Sequence, residues 1–189
     1  MTIVESFVRL KNYSETENFA GWDPYDGLNS KVFQRLPFFK RSALCRLVVI
    51  QGFKRSPINL RRIALVPKEH NAKGIALFLN GYCNLYHALQ KGVNSGISGE
   101  ECLEKIHSLT NLLLSLQNKG YSGACWGYNF DWQARRIFLF PKNTPTVVAT
   151  AFAVAALCEA YEITRDKTYL SEALSAADFV INDLHRTEC

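Results

Sequence analysis

The strongest hydrophobic periodicity runs from Ser98 to Lys119, where Leu103, Ile106, Leu109, Leu113 and Leu116 recur on one helical face. Ser98 and Glu101 precede it as S-x-x-E, the spacing of a capping box. Gly120 follows where a C-terminal cap belongs. The stretch from Ala72 to Lys91 repeats with the same period through Ile75, Phe78, Tyr82, Leu85 and Leu89. The short loop VNSGISG joins the two stretches, and a link that short predicts an antiparallel helix hairpin.

A second hairpin is predicted downstream. Thr144 can cap a helix with Pro145 at its first position, where a missing N–H costs nothing. In the run TVVATAFAVAALCEAY, Ala149, Ala151, Ala153, Ala155 and Ala156 fall on nearly all sides, the pattern of a buried inner helix. After a link at Thr164–Lys167, Leu170, Leu174, Ala177, Ile181 and Leu184 form an apolar stripe, with Glu172, Asp178 and Asp183 on wetter faces. Upstream, one helix is predicted over 38–53 through Leu44, Leu47, Val48 and Ile50, stopped by Pro57. Residues 1–18 predict a short amphipathic helix, and 58–65 show no clear period. The expectation is an all-α chain of antiparallel helix hairpins forming one domain over 1–189, with room for a third hairpin and no strict repeat.

Two loops break the helical pattern and carry most of the candidate chemistry. The first, GWDPYDGLNS at 21–30, gathers Trp22, Asp23, Tyr25 and Asp26 among turn formers. The second, at 121–141, alternates Trp126, Tyr128, Phe130 and Trp132 with Gly127, Asn129 and Asp131, which is the period of extended chain. Ile137–Phe140 is the candidate return strand, and Gln133, Arg135 and Arg136 lie beside it. Aromatic faces meet apolar sugar faces and carboxylates accept hydroxyl hydrogens. Asp131, Asp26 and Asp23 are therefore the candidate catalytic carboxylates. Trp22, Tyr25, Trp126, Tyr128, Trp132 and Arg135 are candidate sugar contacts. Arg61, Arg62 and Lys68 lie just ahead of the Ala72 helix, where cations and free backbone N–H groups can frame an anion. Each loop also has a plainer reading, as a structured turn and as a plug over the helix ends.

Charge sharpens the picture in one place. Residues 1–30 carry two bases and five acids, residues 31–73 eleven bases and one acid, Glu69, and residues 74–189 nine bases and eleven acids. A local basic block attracts nucleic acid, anionic lipid or a phosphorylated ligand, though a solvated face is the plainer reading and nucleic acid is disfavoured. The hydrophobic share of 48% and charged share of 21% fit a globular protein. No apolar run approaches the roughly 20 residues of a membrane span, and the N-terminus makes a poor secretory signal. The cysteines Cys45, Cys83, Cys102, Cys125, Cys158 and Cys189 form no CxxC pair, and His70, His87, His107 and His185 form no metal-binding pair. No metal or cofactor is expected, DPYDG lacks the rest of a calcium loop, and reduced thiols fit a cytoplasmic location. P-loop, GxSxG, GxGxxG and the acidic runs of terpene cyclases are all absent.

Taken together, GWDPYDGLNS, NLRRIALVPKEHNAKG, WGYNFDWQARRIFLFPKNTPTVVATAF and YLSEALSAADFVINDL resemble uncharacterised α/α-toroid proteins found with polysaccharide and capsule biosynthesis genes. Those are similar in architecture to six-hairpin glycosidases and N-acylglucosamine 2-epimerases. The resemblance spans roughly residues 20–185. It implies an (α/α)6-type toroid and a carbohydrate setting, without a settled reaction. A full toroid needs roughly twice this length at ~30–60 residues per hairpin, so the chain reads as partial, with an inner helix face open to self-association or a partner. The functional expectation is a carbohydrate-binding or carbohydrate-processing protein, with a carbohydrate or nucleotide-sugar ligand. An enzyme of this kind would be glycosidase-, lyase- or epimerase-like. The competing expectation is a non-catalytic helical scaffold for a partner protein or glycan.

Overall fold

A computed structural model describes residues 2–93, 95–135 and 137–184. Among the described residues the chain is mostly helical, with one small antiparallel sheet. The helices are α1 (Ile3–Thr16), α2 (Lys31–Gln34), α3 (Pro37–Arg41), α4 (Ala43–Arg55), α5 (Leu60–Ile63), α6 (Ala72–Gln90), α7 (Gly99–Ser115), α8 (Val147–Thr164) and α9 (Lys167–Asn182). A 3-10 turn, η1, covers Asp26–Asn29, and strands β1 (Trp132–Ala134) and β2 (Phe138–Phe140) form the sheet. The elements gather into two compact units. A helical unit takes Met1–Phe19, Asn71–Gly127 and Pro145–Cys189, and a loop unit takes Ala20–His70 and Tyr128–Thr144.

In the helical unit α6 packs on both α7 and α8, and α8 packs on α9. The α6–α7 and α8–α9 pairs are the two expected hairpins. The core is built from Ile75, Leu79, Cys83, Ile106, Leu109, Leu113, Trp126 and the alanines of α8. Asn71 caps α6, and the Ser98–Glu101 capping box of α7 is formed in both directions. A second box, Thr2–Glu5, opens α1. Glu15, near the end of α1, accepts from the Tyr82 hydroxyl at 2.6 Å and lies 3.1 Å from Lys11.

Several boundaries differ from those the sequence predicts. The α7 helix ends at Ser115, a turn before Gly120, because the Asn118 N–H bonds to the Cys125 carbonyl and the chain departs. The α8 helix begins after Thr146, not Thr144. The Thr146 N–H bonds to the Trp126 carbonyl, which keeps that residue extended, and its hydroxyl caps the Ala149 N–H. The predicted helix over 38–53 is two helices, broken where Ser42 caps α4. The buried face of α9 is Tyr169, Ala173, Ala176 and Phe179, not the Leu174–Ala177–Ile181 stripe, which is exposed. Beside Ala173 and Ala176 the chain backbone at Gly123 presses against Ser175. A Cβ on Gly123 would meet the Ser175 carbonyl oxygen at 1.9 Å.

Nor is α8 buried all round. Val147, Val148, Ala151 and Ala155 are exposed. Among the described residues it is the one helix long and apolar enough to cross a membrane, with a mean hydropathy of 1.5 over 18 residues. It also carries Glu159 and Glu162 and packs Ala153, Ala156, Leu157 and Ala160 in the core.

The loop unit has a small core of Leu28, Phe33 and Ile50, against which Tyr25 and Val49 pack. Here α4 packs on η1 and on α3. β1 and β2 pair in register, Trp132 with Phe140 and Ala134 with Phe138. This is the expected hairpin within 121–141, with the return strand beginning at Phe138.

Candidate functional site

The 21–30 loop is held by its own carboxylates. The Asp23 carboxylate accepts from the Tyr25 N–H at 2.9 Å, and the Asp26 carboxylate accepts from the Asp23 N–H at 2.9 Å. Such side-chain-to-backbone bonds are what Asp supplies in turns. Asp26 is buried and ion-paired with Arg61 at 2.8 Å, while Arg61 also donates to the Asp23 carbonyl at 2.8 Å. Burial, opposed by Arg61, leaves the Asp26 carboxyl above its ordinary range. Trp22 is pinned by its indole N–H to the Val66 carbonyl at 3.0 Å, and the Lys68 ammonium lies 5.0 Å from its ring centre. Gly27 lets η1 meet α4, since a Cβ there would stand 3.0 Å from the Phe53 ring.

These ties leave an open cleft of about 390 Å³ within the loop unit. Trp22, Pro24, Phe53 and Ile58 give it apolar walls, and Lys54, Asn59 and Arg61 give it polar groups. Lys54 donates to the Tyr25 hydroxyl at 2.7 Å.

A second polar centre lies in the same unit. Glu69 pairs with Lys142, whose ammonium lies 2.9 and 2.8 Å from its two carboxylate oxygens. The side-chain amide of Asn29 stands 3.4 Å from Glu69 and donates to the Asn129 carbonyl at 2.8 Å. Asn129 reaches Glu69 at 3.5 Å, and its own amide oxygen is buried with no hydrogen-bond partner. Asp131 accepts from the Lys142 N–H at 2.7 Å. The two aromatic–acidic loops therefore meet, through Asn29 and Asn129. Buried Gln133 ties the β-hairpin to α4, accepting from Arg46 at 2.7 Å and donating to the Phe138 carbonyl at 2.8 Å. Tyr128 stacks with Phe130 and Trp132 with Phe140, with centres 5.4 and 5.7 Å apart. Burial, then the nearby Asp23 charge, pushes the Tyr128 hydroxyl upward.

Of the candidates, Trp22, Tyr25, Arg61 and Lys68 gather around the cleft, and Tyr128, Asp131, Trp132 and Arg135 belong to the hairpin segment. Asp23 and Asp26 are occupied in holding the loop. Trp126 is elsewhere: it is fully buried in the helical unit, with its indole N–H on the Leu113 carbonyl at 2.8 Å. Arg136, His185 and Cys189 lie outside the described residues. Sequence reasoning missed Asn29, Phe53, Lys54, Glu69, Asn129 and Lys142 as members of these centres. One signal was available, since Glu69 is the lone acid in a long basic stretch.

Among the described residues no group of three or more His, Cys, Asp or Glu side chains could hold a metal ion. The described cysteines are all free thiols, and burial pushes Cys83 to about 12 and Cys102 and Cys125 to about 11. Thiols held that high are poor nucleophiles at neutral pH. No family model, curated protein or solved structure matches the chain.

Proposed function

We propose that this is a carbohydrate-binding protein of a polysaccharide biosynthesis system, with its ligand seated in the Trp22–Phe53 cleft of the loop unit. The observation that carries this reading is the composition of that cleft: two aromatic walls beside Lys54, Asn59 and Arg61 in about 390 Å³. Ligand sites set apolar walls beside fixed polar groups, and here Trp22 and Phe53 stand beside Lys54, Asn59 and Arg61. Lys54, exposed at the cleft, suits an acidic sugar or a nucleotide-sugar phosphate. The two hairpins support an α/α-toroid architecture, and the free buried thiols fit a cytoplasmic setting.

Binding is better supported than two-carboxylate hydrolysis. That mechanism needs a pair of available carboxylates about 5–10 Å apart, and Asp26 is buried against Arg61. Asp131 remains the candidate for any proton transfer. The test is calorimetric titration with uronic acids and nucleotide sugars. Trp22→Ala should weaken the bound sugar at least about tenfold, roughly 1.4 kcal/mol, with Asp131→Asn as the catalytic control. Absence of binding to every sugar in the panel would overturn the reading.

A scaffold role is the second reading. It is favoured by Leu174 and Ile181 on α9, which are 65% and 59% exposed. A monomeric mass by light scattering, unchanged with concentration, would count against it.

A further inference from the structure

The two units differ sharply in charge. The loop unit holds thirteen basic and four acidic residues, a net +9, and the helical unit nine and thirteen, a net −4, which together give the chain its +5. Within the loop unit no Asp or Glu occurs from Lys31 to Lys68. No ion pair to Lys31, Arg35, Lys40 or Arg41 is formed among the described residues.

Phe33, Ile50 and Val66 of this stretch are buried, but other apolar residues are turned outward. α3 is Pro-Phe-Phe-Lys-Arg with no buried residue, and Phe38 and Phe39 are 83% and 51% exposed. On α4, Leu44 and Val48 lie one turn apart, on the side away from buried Ile50, and both are exposed. Exposed aromatics alternating with unpaired cations are the composition of an interfacial membrane anchor, in which rings enter the headgroup boundary and Lys and Arg meet anionic lipid.

We propose that the α2–α4 edge of the loop unit docks on an anionic phospholipid surface. Phe38 and Phe39 enter the acyl boundary, while Lys31, Arg35, Lys40 and Arg41 contact headgroup phosphates. Charge complementarity selects this occupant, because the whole edge is positive. A polyanion lacking an apolar layer, such as nucleic acid, would satisfy the cations but leave Leu44 and Val48 in water. The docking is peripheral and needs no spanning helix.

The test is co-sedimentation of the full chain with phosphatidylcholine vesicles containing about 30% phosphatidylserine, against phosphatidylcholine alone. Binding is expected only to the anionic vesicles, and it should fall from low to physiological salt as the charges are screened. Phe38→Ala/Phe39→Ala and Lys40→Glu/Arg41→Glu should each reduce it at least about tenfold. These side chains are exposed, so circular dichroism and melting temperature should match the parent chain. Equal binding to neutral vesicles, absence of binding to anionic ones, or undiminished binding by the Phe38→Ala/Phe39→Ala chain would each overturn the proposal.

Discussion

Glu15 and Asp26 are both carboxylates with cationic partners, yet their protons are held in opposite directions. For Glu15, burial favours the proton, but the hydrogen bonds from Tyr82 and Lys11 and the charge of Lys105 outweigh it and hold the carboxyl below its ordinary value of 4.5. A depressed folded value stabilises the fold above 4.5, and that contribution is lost as pH falls through the folded value. Asp26 runs the other way, because burial exceeds the pull of Arg61. Its contribution is full below 3.8 and is lost as pH rises through the folded value. Removing the Tyr82 hydroxyl should let the Glu15 carboxyl climb back toward 4.5. The fall in melting temperature across the acid limb should then be smaller in Tyr82→Phe than in the parent. An unchanged acid limb would mean the Tyr82 bond contributes nothing to holding Glu15 ionised.

Among elements, two glycines give opposite forecasts. Gly123 lies where the backbone meets α9, and a methyl group there would collide with the Ser175 carbonyl oxygen. Backbone cannot step aside as a flexible side chain can, so Gly123→Ala should cost about 3 kcal/mol or more, the upper end of overpacking. Gly81 is exposed inside α6, with nothing within 4 Å of a Cβ. There Gly81→Ala should add about 0.5–1 kcal/mol from helix propensity alone. Urea unfolding of the two variants checks both signs at once. The hairpins were legible in the sequence because caps and the 3.6-residue period are local, as at Ser98–Glu101. Helix ends were not, because a distant carbonyl decided them: Trp126 for the start of α8, and Cys125 for the end of α7. The α9 face was misread because Leu174, Ala177 and Ile181 repeat with the same helical period as Tyr169, Ala173, Ala176 and Phe179, and the period alone does not choose between two apolar faces. In the candidate site the aromatic and acidic members could be named from the loops. Their roles could not, since Asn29–Asn129 and Glu69–Lys142 are bonds across 100 and 73 residues.

Over the whole molecule, the separation of charge sets how salt acts. A unit at +9 repels itself, and that repulsion weakens as the screening length shortens from about 30 Å at 0.01 M to about 8 Å at 0.15 M. Adding salt over this range should raise hydrogen-exchange protection in α4 of the loop unit more than in α6 of the helical unit. Equal gains in both would show that the charge separation has no energetic weight. The loop unit is also discontinuous in the chain, resuming at Tyr128 after the α6–α7 hairpin. Synthesis at ~5–20 residues per second places Lys142 roughly 4–15 s after Glu69. During that interval the nascent chain carries Lys31 to Lys68 with Glu69 still lacking its ammonium partner. The order of translation therefore makes the meeting of the two loops a late event in the birth of the protein.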